Sequence, residues 1–378
     1  MSMGTFKLNE ITNRIFSGGT PSTASQDYWG GRFYWLSSGE TRNPFITTTE
    51  KTITQLGVDN SSTRMAHKGD TVIASAGQGY TRGQTSFLKI DTYINQSIVA
   101  LEPNKQFVIP EYLFYNLSNR YEEMRLLSDS SSTRGSITTK MISDMTIDLP
   151  NLIEQQHIVD TIGSVDDLIE KNNKILKRID KITKMEFLKI YNKELENKRL
   201  KDYCLTYLGG TPSREKQDYW SGNIPWINSG EINNDAILEA TEYITKLGLE
   251  KSATKLMPKN TVVLAITGAT LGKISVLKID CCANQSVVGI IPNENLPFEY
   301  LFPLMKYKIQ NLISMQTGGA QQHINKDNVA SLEIYVPDKK GMEKYLRKTQ
   351  SLLAEHERLL FENKKLAKLK NQLLDKYF

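Results

Sequence analysis

Four polar, glycine-rich segments stand at matching places in the two halves of the sequence. Residues 75–85 (SAGQGYTRGQT) and 128–139 (SDSSSTRGSITT) lie in the first half, and residues 267–273 (TGATLGK) and 316–326 (QTGGAQQHINK) lie in the second. Arginine can pair bidentately with guanine and glutamine with adenine, while hydroxyl and backbone N–H groups suit phosphate oxygens. The candidates for contact with a nucleic acid such as DNA are Gln78, Tyr80, Thr81, Arg82, Gln84, Ser132, Thr133, Arg134, Thr267, Thr270, Lys273, Gln316, Gln321, Gln322, His323 and Lys326. The alternative is that these segments are solvated turns without a ligand.

Residue patterns typical of catalysis are missing from the sequence. It contains no GxxxxGK[ST] phosphate loop, no GxSxG nucleophile elbow and no HExxH metal motif. The three cysteines cannot form a disulfide framework, and the four histidines are scattered, which argues against a zinc site. The adjacent Cys281 and Cys282 are better explained as small buried hydrophobic residues. We therefore expect no catalytic residues and no bound metal in this chain.

Composition indicates a folded protein with only a mild charge excess. The chain has 378 residues, of which 39% are hydrophobic and 24% are charged, and no apolar run reaches the roughly 18 residues of a membrane span. The first ten residues show no apolar signal-peptide core, so a cytoplasmic protein is expected. The last 41 residues carry 11 basic and 6 acidic side chains, which accounts for the whole net charge of +5. Any DNA contact must use local patches, or a partner must supply positive charge.

The sequence is duplicated. Residues 18–40 (GGTPSTASQDYWGGRFYWLSSGE) match residues 209–231 (GGTPSREKQDYWSGNIPWINSGE) at 14 of 23 positions, with an offset of 191. The repeat continues through Lys-Ile-Asp and Asn-Gln-Ser strings, and the offset falls to 187 by the Leu-Pro and Val-Pro pairs at 149 and 336. The chain therefore consists of two related units of about 190 residues.

The first part of each unit predicts a mixed α/β globule. Short apolar runs at 71–74 and 262–266 are typical of strands, and 110–127 and 297–315 predict helices with a proline near the start. The Asp-Tyr-Trp strings that begin at residues 27 and 218 are expected in turns and loops.

The second part of each unit predicts a long helix. Over 151–198 and 340–378 apolar residues recur at spacings of 3 and 4, which is typical of a coiled-coil seam of about 60 Å. Asn172 and Asn363 interrupt the two seams 191 residues apart, and a buried asparagine pair would set their register; the alternative is that both face solvent. The acidic pair Asp166-Asp167 is expected on a solvated face. The predicted seam residues are Ile158, Ile162, Val165, Ile169, Asn172, Leu176 and Ile179, with Leu353, Leu360, Asn363 and Leu366 in the second helix.

The predicted order is globule, helix, globule, helix, with boundaries at 1–150, 151–199, 200–337 and 338–378. The fold class is α/β (mixed α+β) globular domains, duplicated in tandem and alternating with two long helices. Helices from related repeats can pair antiparallel, which would place the globules at opposite ends of a pseudo-twofold symmetric molecule.

The chain resembles the specificity (S) subunits of type I restriction–modification systems. The features that carry this resemblance are the order of globules and helices, the doubled GGTPS…DYW…W…SGE block, the strings TGATLGK and NQS, and the TGG…INK segment that leads to Val-Pro. The resemblance covers essentially the whole chain. It implies two target-recognition domains, each reading half of a split DNA sequence, and helical spacers that set the gap between them. It also implies that 267–273 and 316–326 face DNA, and their first-unit counterparts follow only from the repeat.

The resemblance further implies partners. The spacers would dock modification (methyltransferase) subunits, expected to be two, which carry S-adenosylmethionine and flip the target adenine. Restriction/translocase subunits would supply ATP- and Mg-dependent translocation and cleavage, so this chain would hold no cofactor and no enzymatic activity of its own. Double-stranded DNA is the expected ligand, and no membrane contact is expected. Two alternatives stay open: a two-headed coiled-coil adaptor for protein or glycan partners, and an enzyme with an unrecognised active site.

Overall fold

The chain forms two compact units. The structure, a computed structural model, describes residues 4–77, 79–129, 135–192, 195, 198–314 and 324–378. Unit 1 consists of Met1–Glu170 and Lys365–Phe378, and unit 2 of Lys171–Lys364. Each long helix therefore contributes residues to both units. Of the helices in the described ranges, none has the length and apolar character needed to cross a membrane.

Unit 1 is built on a five-stranded and a four-stranded sheet. The larger has the order β2-β10-β7-β8-β4, the smaller β5-β3-β9-β6, and β1 pairs with β11. The strands are β1 Gly4–Lys7, β2 Thr12–Ser17, β3 Trp29–Leu36, β4 Phe45–Ile46, β5 Lys51–Ile53, β6 Arg64–Ala66, β7 Thr71–Ala74, β8 Thr85–Leu88, β9 Thr92–Ile94, β10 Ile98–Pro103 and β11 Thr146–Leu149. The helices are α1 Gln55–Asp59, α2 Pro110–Ser118, α3 Tyr121–Asp129, α4 Thr139–Asp144 and the start of α5 Leu152–Ile190.

Unit 2 repeats this topology. Its five-stranded sheet has the order β13-β20-β17-β18-β15, strand for strand the order of unit 1, beside β16-β14-β19 and the pair β12-β21. The strands are β12 Lys198–Arg199, β13 Leu205–Leu208, β14 Trp220–Ile227, β15 Ala236–Ile237, β16 Glu242–Ile244, β17 Val262–Ala265, β18 Ile274–Leu277, β19 Cys282–Ala283, β20 Val287–Ile291 and β21 Glu333–Ile334. The helices are α6 Lys246–Glu250, α7 Phe298–Ser314, α8 Lys326–Ala330 and α9 Lys339–Tyr377.

The predicted mixed α/β class with two long helices is confirmed, and two local predictions need correction. The segment 110–127 is not one helix, because α2 ends at Ser118 and α3 begins at Tyr121. The Asp-Tyr-Trp strings are turns only as far as the tyrosine. Trp29 and Trp220 already begin the eight-residue strands β3 and β14, where each ring packs against a second tryptophan.

The double glycine of each repeat is required by a close backbone approach. Gly19 donates its N–H to the carbonyl of Ile94 at 3.0 Å. A Cβ on Gly18 would lie 1.9 Å from the Ile94 oxygen, and a Cβ on Gly209 would lie 2.0 Å from the Asn284 oxygen. Only glycine allows two backbone segments to approach this closely. The GG pairs therefore serve the packing of the sheets and turns that the two units share, which we call the frame.

Two tryptophans hold the glycine segment in place. The rings of Trp29 and Trp35 meet edge to face at 5.0 Å, and those of Trp220 and Trp226 do so at 5.1 Å. The buried indole of Trp35 donates to the carbonyl of Gly19 at 3.2 Å, and Trp226 makes the same bond in its unit at 3.0 Å. A buried indole N–H needs such an acceptor, so the position of the ring and the path of the glycine segment determine each other.

The glutamate of each Ser-Gly-Glu string joins two loops. The buried carboxylate of Glu40 accepts the N–H of Ser37 at 3.0 Å and that of Glu50 at 2.8 Å. Glu231 accepts the two equivalent N–H groups of unit 2 at 3.1 and 3.0 Å. Hydrogen bonds to an ionised acceptor are the stronger kind, so this residue fixes the chain after β3 and β14.

The long helices pair antiparallel within unit 2. Asn172 Nδ2 donates to Asn363 Oδ1 at 2.9 Å, while Lys348 lies 2.8 Å from Glu186, so residue numbers rise along α5 as they fall along α9. Asn172 is only 7% exposed, so its amide lies in the seam rather than facing solvent. The bond between the two amides satisfies polar groups that leucine neighbours could not.

Burial along the seam differs between the two helices. In α5 the residues Ile158, Ile162, Val165, Leu176 and Ile179 are buried, and Ile169 is half-buried. In α9 the buried member is Leu359, whereas Leu353, Leu360, Asn363 and Leu366 are half-buried. Leu352-Leu353 and Leu359-Leu360 are doublets, pairs of adjacent leucines seven residues apart. The heptad spacing therefore fits the first leucines of the two pairs as well as the second, and the sequence pattern does not show which of them face α5.

The expectation for Asp166 was wrong. Its carboxylate is not solvated: the hydroxyl of Tyr115 donates to it at 2.8 Å, and Lys370 Nζ lies 2.7 Å away. Both side chains of this ion pair are largely buried within unit 1. Because the partners come from α2 and the last turns of α9, the local sequence around Asp166 carried no signal for them.

Gly18→Ala should destabilise unit 1 by about 2 kcal/mol, because the added methyl group cannot coexist with the Ile94 carbonyl. Gly39→Ala is the matched control in the same unit, since a Cβ there would meet nothing within 4 Å. Urea denaturation of both variants measures the difference. Equal midpoints for the two variants would contradict the assigned role of the double glycine.

Asn172→Leu should lower the free energy of unfolding by about 1–3 kcal/mol, because the half-buried side-chain oxygen of Asn363 then loses its donor, although its amide nitrogen still donates to Asn173. The double variant Asn172→Leu with Asn363→Leu should recover much of this loss, since the buried seam then holds no amide and the exposed Asn173 can bond to water. A double-mutant cycle by chemical denaturation gives the coupling energy. Additive losses would show that the two amides act independently.

Candidate nucleic-acid interface

The first predicted loop of each unit closes in the same way. It connects β7 with β8 in unit 1 and β17 with β18 in unit 2. Gly83 donates to the carbonyl of Ala74, and Gly272 donates to that of Ala265, both at 2.9 Å. Both glycines have positive φ angles, 89° and 83°, which glycine adopts without strain. The frame therefore presents two loops of different sequence from equivalent positions.

The second predicted loop of each unit is tied to the first. The N–H of Ile137 donates to Ser75 at 2.8 Å, and that of Ile324 donates to Ile266 at 3.0 Å. Each acceptor is the first residue after the strand that carries the first loop. The structure thus brings the end of the second segment beside the start of the first, in both units and by the same backbone bond.

Arg82 is committed to holding the two loops of unit 1 together. Its guanidinium donates to the Gly135 carbonyl at 2.5 Å and to the Asp129 carboxylate at 2.6 Å, and the side chain is 13% exposed. A bidentate contact to guanine would require these bonds to break. The position of Arg82 suits a structural bridge between the two loops, and its contact with DNA stays a prediction.

The other predicted residues of the described ranges differ in exposure. Tyr80 is 84% exposed, and Lys273 and Lys326 also lie at the surface. The half-buried ones are Thr81, Gln84, Thr267 and Thr270. The following predicted residues lie outside the described ranges: Gln78, Ser132, Thr133, Arg134, Gln316, Gln321, Gln322 and His323. Their contact with DNA stays a prediction.

Two exposed glutamines beside the loops escaped the sequence-based prediction. Gln96 Oε1 accepts a hydrogen bond from Thr20 at 2.5 Å, and Gln285 Oε1 accepts one from Thr211 at 2.6 Å. Each glutamine follows the turn that the double glycine contacts, and the next residue, a serine, accepts the N–H of the first loop residue. The repeated Asn-Gln-Ser string was the available signal, although neither glutamine is among the residues expected to contact DNA.

Helix α3 shapes the first loop of unit 1. The Tyr121 hydroxyl donates to the carbonyl of Tyr80 at 3.1 Å, and Arg125 donates to that of Gly79 at 2.8 Å. Both donors lie on α3, so the conformation of this loop depends on a helix 40 residues later in the chain. The corresponding contact in unit 2 is apolar, since a Cβ on Gly272 would meet Ile313 of α7 at 2.8 Å.

The nucleophiles and possible metal ligands of the described ranges form no reactive site. Burial raises the pKa of Cys204 to about 12 and that of Cys282 to about 11, so both thiols stay protonated and unreactive near neutral pH. Within the part of the chain that the structure describes, no three His, Cys, Asp or Glu side chains cluster as metal ligands would. The loops instead present hydrogen-bond donors, hydrogen-bond acceptors and positively charged side chains, which are groups that suit binding.

Known proteins show the same architecture. The S subunit of a type I restriction–modification system from M. genitalium superposes with a TM-score of 0.61 at 14% identity, covering all of this chain and 96% of that one. The EcoR124I/EcoR124II specificity subunit of Escherichia coli is 29% identical over 151 residues, which are 38% of this chain and 37% of that subunit. The HindI specificity subunit of Haemophilus influenzae is 22% identical over 393 aligned positions, covering 81% of this chain and 85% of the relative.

A family model matches the chain twice. The model describes the type I restriction modification DNA specificity domain, and it covers residues 2–181 and then 192–370. The two matches follow the internal duplication, and each contains one double glycine, one tryptophan pair and one long helix. Because the two matches together span nearly the whole sequence, the chain belongs to the family of type I restriction–modification DNA specificity domains.

Proposed function

We propose that each unit reads one half of a bipartite DNA target and that the paired long helices set the gap between the halves. DNA target recognition is the function of the family, and its specificity subunits are non-catalytic. The observation that carries the proposal is that two closely similar frames carry different loops. The strand order of the five-stranded sheet, the glycine contacts and the tryptophan pairs agree between the units, whereas the loops differ in length and side chains.

Positive charge at the loops is local. Lys273 ends the first loop of unit 2, and Lys326 is the first residue of α8, directly after the second loop. Both side chains are exposed, which suits contacts to phosphate oxygens rather than base reading. The modest net charge of the chain agrees with a complex in which partner subunits hold much of the DNA backbone.

An exposed apolar stripe on α5 supports docking of partner helices. Ile175, Ile182 and Met185 of unit 2 are each at least 41% exposed, at spacings of seven and three. Such a stripe on an already paired helix suits a further helix packed against it. The occupants that we propose are methyltransferase subunits, two per chain, joined by restriction subunits. S-adenosylmethionine, ATP and Mg²⁺ would bind to those partners, and the complex would act in the cytoplasm.

The proposal is tested by selecting DNA from a pool of randomised duplexes with the chain co-purified with its methyltransferase partner. We expect one enriched motif with two short defined halves at a fixed gap. A two-headed adaptor for proteins or glycans would enrich no motif, even from a soluble and intact complex, and that result would contradict DNA reading.

Lys273→Ala should weaken binding of the selected duplex without changing its sequence, because a phosphate contact carries no base information. The slope of log K against log salt should fall by about 1, as expected for one lost phosphate contact. Fluorescence anisotropy across a salt series measures both quantities. The control is Lys246→Ala on α6, an exposed lysine in the same unit. An unchanged slope for Lys273→Ala would remove this lysine from the interface.

Four residues inserted after Lys181 in α5 and four after Ala354 in α9 should lengthen the gap by about two base pairs. Four helical residues add about 6 Å, and base pairs stack at about 3.4 Å. Selection from the randomised pool reads the new gap, and both half-sequences should stay the same. An unchanged gap in an assembled complex would contradict the spacer role of the helices.

A further inference from the structure

Unit 2 contains a cavity away from the two loops, with one predicted seam residue, Leu353, in its wall. It measures about 450 Å³ and lies where α5, α7 and α9 meet the end of the β15-β18 pair. Its walls are mostly apolar and include Phe187, Phe298 and Phe302. A concave, mostly apolar cavity of this size with a few polar groups is typical of small-molecule sites.

The same place in unit 1 is filled by aromatic rings. Strand β4 pairs with β8 so that Phe45 faces Phe87, and β15 pairs with β18 so that Ala236 faces Val276 in the equivalent register. The ring of Phe45 lies 6.4 Å from that of Phe87 and 5.4 Å from that of Phe114. Two aromatic side chains of unit 1 thus correspond to two small residues in the wall of the cavity.

A third substitution removes a phenol ring. The string Glu-Tyr-Leu-Phe occurs at 111–114 and at 299–302, so the residue that follows it is Tyr115 in unit 1 and Pro303 in unit 2. The Tyr115 ring packs on Phe114 at 5.2 Å, and its hydroxyl donates to Asp166 on α5. Pro303 lines the cavity, and its smaller side chain stands at the sequence position that carries the phenol in unit 1.

The charges around the cavity favour a neutral occupant with one hydrogen-bond donor. Asp235 pairs with Lys306 at 2.8 Å, Asp180 lies 3.2 Å from His356, and Lys278 pairs with Glu357 at 2.9 Å. The remaining lysine of the lining, Lys184, is exposed to solvent. The remaining carboxyl of the wall, Glu299, has no ion pair within the described ranges, and burial raises its pKa. A charged ligand would compete with pairs already formed, whereas a hydroxyl or N–H could donate to Glu299 at no such cost.

We propose that this cavity binds a small neutral aromatic molecule with one hydroxyl or N–H donor, its ring between Ala236 and Phe302 and its donor on Glu299. Unit 1 supports the shape of the ligand, because its own sequence places aromatic rings, one of them a phenol, at the equivalent position. The proposal is independent of DNA reading, since the cavity is lined by the sheet end and the helices rather than by the loops.

Phenol, and benzene as the matched probe without a donor, should be titrated against the full chain by isothermal calorimetry and ligand-observed NMR. We expect saturable binding of one phenol per chain, about tenfold tighter than benzene, which is the value of one hydrogen bond of about 1.4 kcal/mol. In Glu299→Ala the two probes should bind equally. No saturable phenol binding, or equal binding of both probes to the native chain, would overturn the proposal.

Ala236→Phe restores the ring that unit 1 has at Phe45 and should abolish phenol binding. Val276→Phe provides the same test if the first variant does not fold. The control is Leu256→Phe, an added ring at an exposed position of unit 2, which should leave binding unchanged. The converse variant Phe45→Ala should create a second phenol site in unit 1. Phenol binding that survives both filling substitutions would place the ligand elsewhere.

The same ring chemistry could come from a tyrosine or tryptophan of a partner subunit. The titration is therefore repeated on the chain assembled with its methyltransferase partner. If the natural occupant of the cavity is a free small molecule, phenol should still bind when the chain is assembled with its partner. Loss of binding on assembly, with Ala236→Phe weakening the complex, would overturn the assignment to a free molecule.

Discussion

Each unit depends on one close contact, the approach of its double glycine to the backbone where β9 or β19 ends and the Asn-Gln-Ser string begins. A Cβ at Gly18 or Gly209 would lie 2.0 Å or less from a carbonyl oxygen. The tryptophan pair holds the glycine segment from one side, and the serine of the Asn-Gln-Ser turn receives the N–H of the first reading loop. This contact fixes where the first loop begins, and the end of the second loop is bonded to the same residue. The loops can therefore change in length and chemistry without moving the frame.

The paired helices α5 and α9 can act as a spacer of fixed length only if they pair in a single register. An all-apolar seam can slip by a heptad with little loss, since leucine packs acceptably against many leucines. Asn172 and Asn363 remove that freedom, because any other register would leave a buried amide without its partner. The pair costs some stability compared with an apolar seam, and in return it selects one register. A spacer that measures DNA needs this property more than it needs maximal stability.

Features that depend on residues close together in the sequence were predictable, and contacts between residues far apart in the sequence were not. The duplication, the strands 71–74 and 262–265 and the long helices were predictable, since their signals are local periodicity and self-similarity. The solvated face expected for Asp166 was wrong, and the loop-bridging bonds of Arg82 were not predicted, because the partners of both residues come from distant parts of the chain. The leucine doublets of α9 left the seam ambiguous by one residue, and only packing against α5 resolves that choice.

If the loops determine the DNA sequence that is read and the frame only holds them, exchanging the loops should exchange the sequence preference of a unit. The most direct test grafts residues 75–82 and 128–136 of unit 1 in place of 266–271 and 315–323 of unit 2. The methylated adenines of a host that expresses the variant with its methyltransferase partner are then mapped by long-read sequencing. We expect a split motif whose two halves carry the same bases at an unchanged gap. An intact complex that keeps the original motif, or that changes both halves, would contradict it.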